Sequence, residues 1–71
     1  MSDKIFLAKL GAKIRKIRKE KSLSLDKLAA LGDYEKANLS RIESGKTNTT
    51  ILTLYTLSRV MGVRVSDFFE D

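Results

Sequence analysis

Residues 24–45, SLDKLAALGDYEKANLSRIESG, decide the fold of this chain. They read as two short helices joined by a tight corner. Leu25, Leu28 and Ala29 give the first helix an apolar stripe at i, i+3, i+4 spacing, and Leu39 and Ile42 give the second a narrower one. Gly32-Asp33 between them is a turn pair, the glycine free to take positive φ and the aspartate able to bond local backbone groups. Two helices this short cannot bury each other alone, so the flanking segments are expected to roof them. The second helix leaves Lys36, Ala37, Asn38, Ser40, Arg41 and Ser44 facing outward. That face is small, polar and cationic, which suits the floor of a DNA major groove.

Before this pair, a first helix is predicted from about Asp3 to Lys21. Leu7, Leu10, Ile14 and Ile17 fall on one face, and Ser2 and Asp3 suit the positive end of the helix dipole. Its basic run (Lys13, Arg15, Lys16, Arg18, Lys19 and Lys21) reads mainly as a solvated face. Gly11 in mid-helix costs about 1 kcal/mol relative to alanine and marks a close approach of a neighbouring helix. Ser24 caps the second helix, and Gly45 ends the third in a left-handed residue.

After the polar loop Lys46-Thr47-Asn48-Thr49, Thr50 caps a fourth helix with Ile51, Leu54, Leu57, Ser58 and Met61 on its inner face. Gly62 closes that helix. Val63 to Phe69 is predicted to be a short fifth helix, with Val65, Phe68 and Phe69 tucked onto the core. No strand pattern, repeat or low-complexity stretch interrupts the series. The expected fold class is all-α, a compact five-helix domain spanning 1–71.

Composition narrows the function classes. The 71 residues hold no cysteine and no histidine, which removes thiolate metal sites, disulfides and the commonest general base. Ser40 and Ser44 therefore lack an activating base, no carboxylate cluster has ligand spacing, and no enzyme or cofactor is expected. No apolar run approaches the ~18 residues of a membrane span and no leader pattern opens the chain, so a cytoplasmic, nucleoid-associated protein is expected. Net charge is +5, unevenly spread: residues 1–46 hold 12 Lys/Arg against 6 Asp/Glu, and residues 47–71 hold 2 against 3. A basic excess confined to the first three helices points to a polyanionic partner on one side of the molecule.

The runs KIRKIRKEKSLS, DKLAALG, LSRIESGK and LYTLSRVMGVRVSDFF, in this order and spacing, resemble the lambda-repressor-like helix-turn-helix domain of the Xre/Cro type. The likeness extends from about Leu10 to Phe69. It implies a transcriptional regulator, with repressor the expected sign, that binds double-stranded DNA as a homodimer on a palindromic operator. The helix-turn-helix is formed by helices two and three, with the third reading bases. On that basis Lys36, Ala37, Asn38 and Arg41 are expected base contacts. Arginine can bond guanine O6 and N7, asparagine adenine N6 and N7, and alanine a thymine methyl. Lys27, Ser40, Ser44, Lys46, Asn48 and the first amides of helix two are the expected phosphate contacts, which set register without reading sequence.

Arg18 and Glu43 resemble an ion pair that links helix one to the end of helix three, and both are assigned to structure. Leu52, Val60, Val63 and Phe69, apolar residues the core does not need, are the expected dimer interface. No separate effector domain is recognised, so no small-molecule ligand is expected. The pattern departs from the family's at four places. Leu25 stands where a phosphate-contacting Gln is common, and Asp33 where the corner glycine is common. Glu35 replaces the usual Ser or Thr cap, leaving Asp33 as the expected cap of helix three, and Asn48-Thr49 replaces Asn-Pro. The competing reading is an antitoxin or adaptor, a protein-interaction module of the same fold; the basic face with Arg41 and Lys46 favours DNA.

Overall fold

Hydroxyl side chains start three of the helices. In the computed structural model, which describes residues 2–70, Ser2 Oγ accepts from the Ile5 amide at 3.2 Å, Ser24 Oγ from Lys27 at 3.0 Å and Thr50 Oγ1 from Thr53 at 3.1 Å. Each bond satisfies one of the orphan donors of a helix start, worth about 1 kcal/mol. The helices are α1 (Asp3–Glu20), α2 (Leu25–Gly32), α3 (Lys36–Glu43) and α4 (Ile51–Met61). The expected fifth helix is instead a 3₁₀ turn, Val65–Phe69. Five residues are too few to repay an α-helical nucleus, and the tighter ring closes with Asp67 N donating to Arg64 O at 2.9 Å. Among the described residues there is no strand.

Each α-helix contributes one fully buried side chain to the centre: Ile14, Leu28, Leu39 and Leu57. Leu10, Ile17, Ala29, Leu54, Met61 and Phe68 surround them. Gly11 explains how α1 reaches α3. A Cβ there would overlap the carbonyl oxygens of Ile42 and Glu43, so only glycine lets the two backbones meet. Gly45, with φ of +71°, places its Cα where a Cβ would lie 2.6 Å from Ala8 Cα. The end of α3 is therefore seated on α1 at two glycine contacts.

The corner between α2 and α3 differs from the sequence expectation. Gly32 stays helical, and Asp33 takes the left-handed conformation at φ 58°. Gly32 is small because the Tyr34 ring lies on it, 2.7 Å from where a Cβ would stand. The Tyr34 amide donates to Ala29 O at 2.8 Å, closing α2. Asp33 thus ends α2 and does not cap α3, whose first residue follows Glu35 with no side-chain cap bond.

Two expectations about the second half also change. Ile51 is 70% exposed rather than on the inner face, because it sits in the first turn of α4, outside the core. Phe69 is half-exposed while Phe68 is buried. With three residues per 3₁₀ turn, Val65 and Phe68 eclipse on one side, and Phe69 points away from it. No helix among the described residues is long and apolar enough to cross a membrane.

Candidate nucleic-acid interface

α3 is eight residues long, and its burial is one-sided. Leu39 is fully buried and Ile42 packs against the core, while Lys36, Ala37, Asn38, Ser40 and Arg41 are exposed. Residues 36, 37, 40, 41 and 44 follow the i, i+3, i+4 rows of one helix face. The core thus turns a continuous strip of donors and small side chains outward.

The polar groups of this strip already have partners. Lys36 Nζ lies 3.2 Å from Asp26 Oδ1 on α2, with both side chains exposed. A pair this open contributes little and yields readily to a competing anion. Arg41 donates an Nη1 hydrogen to Asn38 Oδ1 at 3.3 Å, so these two expected base-reading side chains touch. Ser44 donates its hydroxyl to Ser40 O at 2.9 Å, an exposed bond it would exchange to donate to a phosphate. Lys46 and Asn48 are exposed in the loop after Gly45, where the Lys46 amide donates to Arg41 O at 3.0 Å. Lys27 is exposed on α2. Its amide and that of Leu28 are taken by the side chain and carbonyl of Ser24, so they are not open to a phosphate.

Behind the strip, Arg18 and Glu43 meet in a bidentate pair. Arg18 Nε donates to Glu43 Oε2 at 2.7 Å and Nη2 to Oε1 at 3.0 Å, with side chains 9% and 6% exposed. Arg18 Nη1 also donates to Leu23 O at 2.8 Å. One guanidinium therefore ties α1, the loop into α2 and the last turn of α3 together. Leu25, at the position where a Gln would face phosphate, packs on the core and belongs to the interior. Neither Asp26 as the partner of Lys36 nor Leu23 as the partner of Arg18 was legible beforehand. The first joins two helices, and the second depends on how the loop after α1 folds back, so no helical spacing signals either.

Of the residues expected to pair two copies, Leu52 is 69% exposed. Val60 and Val63 are half-buried and packed on the core, which corrects their assignment as residues the core does not need. Phe69 stacks on Phe6, ring centroids 6.1 Å apart. The open apolar face of α4 is made by Ile51, Leu52 and Tyr55, with Arg59 at 5.7 Å over the Tyr55 ring.

Residues 14–68 match the family model HTH_3, described as helix-turn-helix. Control protein C.MunI from Mycoplasma sp is 38% identical over 64 residues, covering 89% of this chain and 86% of that protein. Among solved structures, the restriction-modification controller protein C.AhdI from Aeromonas hydrophila superposes with a TM-score of 0.89 at 25% identity, covering 92% of this chain and 98% of that one. SinR, the master regulator for biofilm formation, solved in complex with DNA, superposes at 0.79 with 37% identity, covering 86% and 98%.

Proposed function

The chain belongs to the helix-turn-helix family, of the Xre/Cro type, and from that premise we propose that it is a sequence-specific double-stranded DNA-binding regulator acting as a homodimer. The observation that carries this reading is the outward strip of α3, cationic and small, whose side chains the core does not use and whose few partners are exposed and readily exchanged. Lys36, Ala37, Asn38 and Arg41 are the base-reading residues of the proposal. Lys27, Ser40, Ser44, Lys46 and Asn48 are its phosphate contacts, and residues 1–71 act as one domain in the cytoplasm, at the nucleoid. SinR, a relative in fold and sequence that was solved in complex with DNA, supports the DNA-binding reading.

A helix of eight residues is about 12 Å long and spans only a few base pairs, so specific control calls for two copies. The α4 face of Ile51, Leu52 and Tyr55 is the proposed contact, and a twofold dimer of this kind is expected to use half-sites of a palindromic operator about one turn, ~34 Å, apart. The near full-length likeness to the control protein C.MunI and to the restriction-modification controller protein C.AhdI supports a controller role of the latter's kind. We read its sign as repression.

The test is selection from a random duplex library at near-physiological salt. A twofold-symmetric motif with half-sites one turn apart supports the proposal. Retention without an enriched motif, fading as salt rises, would leave only attraction to phosphate and favour the adaptor or antitoxin reading.

A further inference from the structure

We propose that the groove between α1 and the 3₁₀ turn is a docking site for an acidic, amphipathic segment of a partner protein. The groove is open, about 590 Å³ in volume, and no α4 residue lines it. Its floor is the core itself, reached at Leu10 and Phe68. Its apolar wall is the Phe6–Phe69 stack, near-parallel at 20°, with the two rings 46% and 50% exposed. Two half-exposed, stacked phenyl rings beside a core opening form an apolar surface that no described residue covers.

Charge selects the occupant. Lys9, Lys13 and Lys16 line the α1 side of the groove at i, i+4, i+7 spacing, and none of them has an ion-pair partner among the described residues. Glu70 is the one acid among the lining residues. A nucleic-acid backbone would satisfy the lysines but offers no apolar group to the rings. An acidic helix with Leu or Phe along one face offers both, which is the helix-in-groove mode of recognition. A second copy of this chain, at net +5, would bring like charge to the lysine rim.

The site is also placed away from α3. At 100° per residue, Lys9 and Lys13 lie about 160° around α1 from Gly11, which meets α3, while Lys16 at the groove's far end also borders Glu43 in the last turn of α3. An occupant there and a duplex on α3 need not compete. The proposal does not rest on the DNA reading and is tested separately from it.

The experiment is a titration of the 15N-labelled chain with a synthetic acidic amphipathic peptide of about 15 residues, and with the same composition scrambled. Saturable shifts confined to the amides of Phe6, Lys9, Lys13, Phe68 and Phe69 are expected, with or without bound duplex. Lys9→Glu with Lys16→Glu, both exposed positions, should weaken binding about tenfold with an unchanged melting midpoint. Phe69→Ala should weaken it as well and supplies an uncharged check. The proposal is overturned by no saturable shift at about 1 mM peptide, by equal binding of the scramble, or by shifts centred on α3. Peptide-free, concentration-dependent shifts at Phe6 and Phe69 would also overturn it, by giving the groove to a second copy.

Discussion

Removing Glu43 should come close to unfolding the protein. Its carboxylate is 6% exposed and receives two hydrogen bonds from an arginine side chain that is 9% exposed. In Glu43→Ala the guanidinium keeps its bond to Leu23 O but loses its counter-charge inside the fold. Breaking a buried pair on one side costs about 3–5 kcal/mol. At ~0.05–0.15 kcal/mol per residue, a chain of 71 residues has roughly 4–11 kcal/mol to lose. With an m-value of about 1 kcal/mol/M for so small a domain, the urea midpoint, followed by far-UV circular dichroism, should drop by about 3–5 M. The double variant Arg18→Met/Glu43→Leu should recover most of this, because apolar groups of similar volume replace both charges. It should still lack about 1 kcal/mol, since Leu23 O loses its donor. The double-mutant cycle should thus give a coupling of at least ~2 kcal/mol. Glu43→Ala lying within about 1 kcal/mol of the parent, or a strictly additive double variant, would refute the reasoning.

Arg41→Ala should cost about 1–3 kcal/mol of discrimination and flatten the selected motif at one base pair per half-site. Lys46→Ala should weaken all duplexes alike and reduce the slope of log affinity against log salt by about 0.9 per half-site, read by fluorescence anisotropy. Glu35→Ser should stabilise the fold by about 1 kcal/mol, because α3 starts without a side-chain cap, and the melting midpoint should rise by about 4–8 °C. Gly11→Ala gains about 1 kcal/mol of helix propensity but forces a methyl into the Ile42 and Glu43 carbonyls, a cost of about 1–3 kcal/mol. The neighbour is backbone and cannot rotate aside, so the net effect should be a lower melting midpoint.

Much of this protein is determined by sequence alone, because the deciding signals are local. Helix periodicity, the hydroxyl caps Ser2, Ser24 and Thr50, and glycines 45 and 62 act within one turn of where they stand. The outward strip of α3 was legible for the same reason: two apolar residues, Leu39 and Ile42, leave only one face to bury. What the tertiary structure decided are the places where two elements compete for the same space. The Tyr34 ring lies over Gly32 and leaves no room for a side chain there, while the left-handed residue that ends α2 is Asp33. Phe69 faces out because the closing segment winds as a 3₁₀ turn, and Val60 and Val63 pack inward because the core extends to them. The Asp26 partner of Lys36 was hidden likewise, since the two side chains lie on different helices and only packing brings them within reach, and the bond from Arg18 to the Leu23 carbonyl depends on how the loop after α1 folds back.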